Sequence, residues 1–356
     1  MLIEDIREQL NKYPGLSNIM DELVASNINV NELSHYGMVL FGPDAFKQGE
    51  VLRIIDYLKR NGFVLISVKT QKITKTEAEN LFLATSTCVQ LKKLKWWMIQ
   101  DSSSAGMFCA AIFYSPTSSE HLNCLCELNL HKGQSNPLKN RPGKIRYDFK
   151  AINTCLNLVH IPDTYGDFFK DTSPFYSVSD IVDIVNHPTG NLAVKEETNK
   201  DIYIVELYSK MDACYSFEFS IYKVKYLLAA KLADYFTSTS LFDFIIHLKK
   251  TCDAVINEES RTERNSIYIC NSDRDKEEIK RIQNELYNRI TQNGVTREDL
   301  SKLITAYQLT ELLLDISVPE RYAKSYSYFF DHVEVLGIIV DGYDRLIINT
   351  TLLQWE

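Results

Sequence analysis

The sequence lacks several features that would place it in a specialised class of protein. No run of apolar residues approaches the roughly 20 that a membrane-spanning helix needs. Glycine and proline are sparse, at 13 and 9 of 356 residues, and the 8 cysteines contain no Cys-x-x-Cys pair. The beginning of the chain lacks the basic start and long apolar core of a signal peptide. We therefore expect a cytoplasmic protein with reduced thiols, no membrane association and no common zinc or redox motif.

Positive charge is also in short supply. The chain carries 39 lysines and arginines against 47 aspartates and glutamates, a formal net charge of −8. This balance argues against a broad basic surface, so we expect no bulk binding of nucleic acid. Any phosphate site must then be local, built from a few cations and backbone amides. The length predicts two domains or one larger, decorated domain, and the 45% hydrophobic and 24% charged content is typical of a globular protein.

Helices and strands alternate in the first half of the chain. Residues 37–41, 63–69 and 107–114 are short apolar or alternating runs that predict strands, and a helix is predicted over 45–61. Thr74-Lys75-Thr76-Glu77 is a capping box that predicts the start of another helix. The order favours an α/β (α+β) sandwich with an antiparallel sheet.

The densest motif lies between residues 133 and 160. It contains Gly133-Gln134-Ser135-Asn136-Pro137, then Pro142-Gly143-Lys144-Ile145-Arg146-Tyr147-Asp148-Phe149, and ends with Asn157-Leu158-Val159-His160. This stretch resembles, without a gap, the signature of nucleoside diphosphate kinases, G-x-T-N-P-x-x-x-x-P-G-x-I-R-x-D-F followed by N-x-x-H. The resemblance covers roughly residues 37–185 and implies a ferredoxin-like fold.

The resemblance also implies roles for single residues. His160 matches the histidine that carries the phosphoryl group, and Asp171 matches the glutamate that orients it. Arg146 matches an arginine that clamps phosphate, Asn157 the asparagine that contacts the sugar, and Ser135 a threonine with a hydroxyl. Such a site needs an imidazole nucleophile, an acceptor for its second nitrogen, and cations for the developing charge.

Several positions depart from the family pattern, among them Ile161, where the family has the glycine after the histidine, and Pro162, where it has a serine. Gly42 stands where the family has the lysine that touches the terminal phosphate. Asn129 falls on a second phosphate arginine, and Phe82 on the tyrosine that packs beside the histidine. We keep Phe82 and Asn129 as candidate nucleotide-binding residues. Two of three expected cations are therefore absent, which favours weakened or altered catalysis.

The chain divides into three predicted regions. Residues 1–36 form an N-terminal helical arm, 37–188 the nucleotide-binding domain, and 200–356 a mostly helical domain whose role the sequence does not indicate. Residues 202–207 are predicted as a strand. The chain is predicted to end in a β-hairpin, with strands over 333–340 and 345–353 around the turn dipeptide Asp341-Gly342.

Three functions follow from these observations and stay open at this point. The first is phosphotransfer through a phosphohistidine, with ATP or another nucleoside di- or triphosphate as ligand. The second is a nucleotide sensor or regulator without phosphotransfer, and the third is nucleotidyl transfer on the same scaffold. Mg²⁺ is expected with the nucleotide, the resemblance implies a homo-oligomer, and the C-terminal domain is a candidate for binding a protein partner.

Overall fold

The protein is described by a computed structural model that covers residues 2–12, 17–26, 28, 30–82, 89–118, 122–186, 196–210, 215–257 and 273–353. Two compact units are present, Met1–Ala213 and Cys214–Glu356. In the part of the chain so described, none of the helices is both long and apolar enough to cross a bilayer.

A four-stranded antiparallel sheet forms the centre of the first unit. Its strands are β1 (Tyr36–Phe41), β2 (Val64–Gln71), β3 (Phe108–Tyr114) and β4 (Val159–His160), in the order β2-β3-β1-β4. This order, with helices in the connections, is the ferredoxin-like arrangement, so the predicted fold class is confirmed.

Helices cover both faces of this sheet. They are α1 (Leu2–Leu10), α2 (Ser17–Ala25), α3 (Val30–Leu33), α4 (Pro43–Lys47), α5 (Val51–Arg60), α6 (Lys75–Leu81), α7 (Val89–Ser104), α8 (Cys124–Lys132), α9 (Ile145–Asp148), α10 (Tyr165–Thr172), α11 (Val178–Asn186) and α12 (Glu196–Ser209). Successive residues of a strand point to opposite faces, so Met38 and Leu40 join one core cluster while Val39 and Phe41 join the other.

The helix predicted over 45–61 is two helices. Gly49, with φ of 67°, separates α4 from α5 in a left-handed conformation that glycine adopts without strain. The predicted capping box is present, because the Thr74 side chain accepts from Glu77 N and the Glu77 side chain accepts from Thr74 N.

The N-terminal helices pack into the core of the first unit. Ile6 and Leu10 of α1 and Leu23 of α2 are buried in the same cluster as Leu40. Pro14-Gly15, where the sequence predicts a break between two short helices of this arm, lies outside the described residues.

The strand predicted over residues 202–207 is wrong. These residues lie within α12, which packs on β2 and α5 in the first unit: Val205 is buried, and Asp201 Oδ1 accepts from Thr70 N at 3.0 Å. A short apolar run fits a strand or a buried helix equally well, which explains the error. The division between the two units lies after α12, between Ala213 and Cys214.

The second unit is helical. Its helices are α13 (Phe217–Leu232), α14 (Thr239–Ile256), α15 (Asp273–Ile290), α16 (Arg297–Ser317), α17 (Pro319–Val335) and α18 (Gly342–Leu352). A buried ion pair joins α13 to α15, with Lys225 Nζ 3.1 Å from Asp275 Oδ2. The prediction of a mostly helical second domain is confirmed.

The predicted C-terminal β-hairpin is wrong. Residues 333–340 contain the end of α17 and the connection that follows it, and 345–353 fall almost wholly in α18. Asp341 caps α18, since its side chain accepts from Tyr343 N at 2.8 Å. An Asp-Gly dipeptide starts a helix as readily as it makes a turn, and Leu346, Ile347 and Thr350 follow at helical spacing and are buried.

Candidate active site

His160 and Asp171 meet at the end of the sheet. His160 is the last residue of β4 and the direct cross-strand neighbour of Leu40 in β1. Asp171 lies in the last turn of α10, and its Oδ2 is 2.7 Å from His160 Nε2. A carboxylate accepts a hydrogen bond, so this contact places the proton on Nε2. Nδ1 is then left with a lone pair, as a nucleophile requires.

The carboxylate that orients His160 is itself held in place. Asp171 is completely buried, and Lys170 Nζ lies 3.1 Å from its Oδ1, an ion pair outside hydrogen-bond geometry. The same ammonium donates to Leu81 O at 3.3 Å and lies 3.4 Å from Asp167 Oδ1. A buried carboxylate needs such partners because desolvation penalises its charge.

The backbone just before His160 adopts an unusual conformation. Leu158 has φ of 69°, in the left-handed region that a branched residue rarely occupies. Its N–H donates to Asp44 Oδ2 at 2.6 Å, and its carbonyl accepts from Gly42 N at 3.0 Å. The segment that carries His160 is therefore fixed by Gly42 and Asp44 at the start of α4, and these contacts offset a conformation that costs about 1–3 kcal/mol.

Asp44 is buried beside this segment. Burial raises its pKa to about 6, although the Leu158 N–H and the positive charge of Arg146 act in the opposite direction. A carboxyl group with such a pKa titrates close to neutral pH.

Arg146 is buried and holds three backbone carbonyls. Its NH2 donates to Val159 O at 2.7 Å, its NH1 to Gly133 O at 3.1 Å, and its Nε to Asn157 O at 3.3 Å. Burial lowers its pKa to about 10, with Asp44 acting to raise it. The guanidinium thus ties the loop after α8 to β4, and it supplies positive charge beside the nucleophile.

One cavity of about 510 Å³ contains these groups. Its apolar wall comes from the sheet and from α6 and α7, and includes Leu40, Leu81, Ile99 and Phe108. Its polar wall includes Asp44, Ser135, Arg146, Asn157, His160, Asp163, Asp167, Lys170 and Asp171. Four carboxylates thus face two cations, and Arg146 and Lys170 both already have protein partners.

Six of the seven predicted site residues line this cavity. They are His160, Asp171, Arg146, Asn157, Ser135 and Phe82. The Phe82 ring lies edge-on to His160, with centroids 6.2 Å apart. The Ser135 hydroxyl is 3.5 Å from Arg146 NH1 at the exposed rim.

Asn129 is placed elsewhere. It is not part of the lining, and its Nδ2 donates to Leu125 O at 3.0 Å and to Pro162 O at 2.8 Å. Its side chain therefore braces α8 against the segment that follows His160.

Sequence reasoning missed the roles of Lys170 and Asp44. Lys170 precedes the aligned aspartate directly, but a lysine on a helix is ordinarily solvated, so no signal distinguished it. Asp44 lies far from the motif between residues 133 and 160, and its contact with Leu158 spans 114 residues of sequence.

The residues present offer Mg²⁺ no cage of their own. Among the described residues, no group of three or more histidine, cysteine or acidic side chains is arranged to hold a metal ion. In the cavity, the carboxylates of Asp44 and Asp171 already have protein partners. This arrangement fits an ion that arrives with a nucleotide and is held mostly by phosphate and water.

Comparison with known proteins points to one family. Residues 36–181 match the family model described as nucleoside diphosphate kinase. The nucleoside diphosphate kinase of Fervidobacterium nodosum is 30% identical over 146 residues, which cover 41% of this chain and 90% of that protein. That of Thermoplasma acidophilum is 27% identical over 146 residues, with the same coverage of 41% and 90%. A crystal structure of the Aquifex aeolicus enzyme aligns with 17% identity over 40% of this chain and 95% of that chain, with a TM-score of 0.34.

Proposed function

We propose that this chain, which belongs to the nucleoside diphosphate kinase family through residues 36–181, transfers a phosphoryl group between nucleotides through His160. Family membership supports nucleotide phosphotransfer in general. The specific route through a phosphohistidine rests on the site of this chain.

One observation carries the proposal: the 2.7 Å contact between His160 Nε2 and Asp171 Oδ2. It fixes the tautomer that leaves the Nδ1 lone pair available, in a cavity large enough for much of a nucleotide. A buried carboxylate also stabilises the positive charge that the imidazole gains when it is phosphorylated. Both effects are needed for a histidine that accepts and releases a phosphoryl group.

The reaction has two balanced halves. In the first, Nδ1 attacks the terminal phosphorus of a nucleoside triphosphate, the N–P bond forms, and the bond to the bridging oxygen breaks as the diphosphate leaves. In the second, a terminal oxygen of another nucleoside diphosphate attacks the phosphorus and the N–P bond breaks. Asp171 holds the Nε2 proton throughout, so no proton needs to leave the histidine.

Mg²⁺ belongs to the proposal as a companion of the nucleotide. When bound, it neutralises part of the phosphate charge, which this cavity of four carboxylates and two engaged cations needs. Asn157 and Ser135 are the proposed contacts to the sugar and phosphates.

The sensor function has its own support. Gly42 brings no cation to the phosphate, Asn129 lies outside the cavity lining, and Arg146 is engaged by three carbonyls. Such a site is compatible with binding a nucleotide while transferring phosphate slowly or not at all. The second unit would then signal to a protein partner whether a nucleotide is bound.

Labelling separates these two functions. The full chain is incubated with γ-labelled ATP, GTP, CTP and UTP in turn, and acid-labile, base-stable label is mapped by mass spectrometry. The kinase proposal expects label on His160 in the wild type and none in His160→Gln. Triphosphate that binds without labelling His160 would establish the sensor instead.

Self-association is proposed from family membership, since family members typically form oligomers. In this chain the edge of β2 is contacted by α12, where Thr70 N donates to Asp201. We therefore place the contact between copies away from this edge. Light scattering at micromolar concentration tests it, because a mass near the 41.1 kDa of one chain would refute self-association. The cytoplasmic location stays a prediction.

A further inference from the structure

Lys132 lies outside the cavity lining, on the helix that carries Asn129, and contacts the segment that follows His160. The two residues are one turn apart on the same face of α8. Asn129 donates to Pro162 O at 2.8 Å, and Lys132 Nζ donates to Ile161 O at 3.0 Å. Ile161 directly follows His160, so the Lys132 ammonium lies beside the nucleophile's own strand.

Asp163 is the acidic partner of this lysine. Its Oδ1 is 3.3 Å from Lys132 Nζ, and it also lines the cavity. The side chain of Lys132 is only 15% exposed whereas that of Asp163 is 79% exposed. The Asp163 carboxylate is therefore largely in solvent, whereas most of the Lys132 side chain is covered by protein.

The negative charge of Asp163 acts on two cations, Lys132 and Arg146. Asp163 acts to raise the pKa of Arg146 as well as that of Lys132, although burial lowers both. The charge of Arg146 also lowers the pKa of Lys132, and the charge of Asp171 raises it. Lys132, Arg146 and Asp163 thus form one cluster, in which an exposed carboxylate acts on the buried Arg146 and the partly buried Lys132.

We propose that Lys132 is a phosphate-binding residue of this site, and that Asp163 occupies, as a resident carboxylate, the position that a nucleotide phosphate takes when it binds. This inference rests on the proposed function. It supplies one of the two cations that Gly42 and Asn129 do not provide. The four-carbon stem of lysine lets the ammonium turn from Asp163 to the incoming phosphate without moving α8.

The competing explanation is structural. Lys132 would then only brace the carbonyl of Ile161, and Asp163 would be an ordinary surface partner. Lys144 offers a matched control, because its Nζ also donates to a backbone carbonyl, that of Leu130, whereas Lys132 in addition pairs with Asp163 of the cavity lining.

Five variants of the full chain test the inference by calorimetry. ATP, GTP, CTP and UTP are each titrated into the protein at one fixed Mg²⁺ concentration. The corresponding nucleoside is titrated in parallel for comparison. Lys132→Met should weaken triphosphate binding roughly tenfold to a hundredfold and leave nucleoside binding unchanged. Lys132→Arg should restore most of the affinity, and the control Lys144→Met should match the wild type.

The Asp163→Asn variant tests the resident carboxylate, because the direction of its change in triphosphate affinity is opposite to that of Lys132→Met. Removing the resident carboxylate should tighten triphosphate binding by roughly twofold to fivefold, the value of an exposed ion pair. The gain should vanish in the Lys132→Met background, because the two residues act through one another.

The outcomes separate this inference from the function it rests on. A wild type that binds triphosphate, with Lys132→Met unchanged or weakened equally for nucleoside, overturns the role of Lys132 and leaves the kinase proposal standing. Weaker triphosphate binding by Asp163→Asn overturns the resident-carboxylate inference as well. A wild type that binds no triphosphate overturns both proposals together.

Discussion

Asp44 accepts the backbone N–H of Leu158 at 2.6 Å, across 114 residues of sequence, and so holds the left-handed residue that precedes the His160 strand. The neighbouring Gly42 N–H completes the clamp on the Leu158 carbonyl at 3.0 Å. The position of His160 therefore depends on Gly42 and Asp44 at the start of α4, which are far from it in the sequence.

The burial of Asp44 predicts a pH dependence of stability. The pKa of Asp44 is raised from 3.8 to about 6 by burial, so the folded chain binds this proton more tightly than the unfolded chain. The resulting stabilisation is present below about pH 4 and is lost as the pH rises through 6. Asp44→Asn should therefore gain free energy of unfolding relative to wild type between pH 4 and 7, by roughly 1–3 kcal/mol.

Urea unfolding at several pH values measures this difference. Asp56→Asn, at an exposed position of α5, is the control and should change little across the range. A difference between Asp44→Asn and wild type that stays flat from pH 4 to 7 would contradict the assignment.

Gly42→Lys tests the missing phosphate cation. Gly42 has φ of −78°, which any residue adopts, so the backbone allows the change. A Cβ here would lie 2.5 Å from Asp44 Oδ1, so that carboxylate must shift. If the nucleotide binds in the orientation that it has in the family, the rate of phosphotransfer should rise by roughly one to two orders of magnitude. Coupled-assay turnover, binding and a melting curve are measured together, and intact binding without a gain would rule out a kinase limited by this cation.

Arg146→Ala should damage the fold as well as the site. Its three carbonyl partners, Gly133, Asn157 and Val159, would lose a buried donor, so we expect a loss of roughly 2–4 kcal/mol in the free energy of unfolding. Under conditions where the variant is folded, triphosphate should lose more affinity than nucleoside. Arg53→Ala, whose partner Glu50 is local, should cost at most about 1 kcal/mol in the same urea titration. Equal stability of the two variants would argue against the buried role.

Asp171→Asn should slow phosphorylation of His160 by roughly two to four orders of magnitude, because the amide no longer enforces the Nε2–H tautomer. The affinity for triphosphate should change little, because Asp171 contacts His160 Nε2 and not Nδ1, the nitrogen proposed to meet the phosphate. Rapid-quench labelling measures the rate, with Asp180→Asn on α11 as the control. Labelling of Asp171→Asn at the wild-type rate would show that the contact does not orient the nucleophile.

The sheet and most of the site could be predicted from sequence. Strands β1 and β3 are nearly continuous apolar runs, and the motif from Gly133 to His160 keeps its spacing, so the lining residues came together as expected. Such features can be predicted because the burial of a strand shows directly in the sequence as a run of apolar residues, and a motif shows directly as a spacing.

Other features depend on contacts that no local pattern contains. Asp341-Gly342 fits a turn or a helix start, and burial of Leu346 and Ile347 on one helical face decided the outcome. The position of Asn129 depends on its bond to Pro162 O, and the resemblance contained no information about this contact. Lys132 and Asp163 are separated by 31 residues and become neighbours only when α8 packs along the segment after β4.

The most direct test of the central claim is a chase experiment on the labelled chain. Protein labelled by a γ-labelled nucleoside triphosphate is freed of nucleotide and then mixed with an unlabelled nucleoside diphosphate and Mg²⁺. Phosphotransfer through His160 predicts that the label leaves the protein and appears as the γ-phosphate of the second nucleotide, and that His160→Gln never becomes labelled. Label that stays on the wild-type protein, or that appears equally in His160→Gln, would contradict the account.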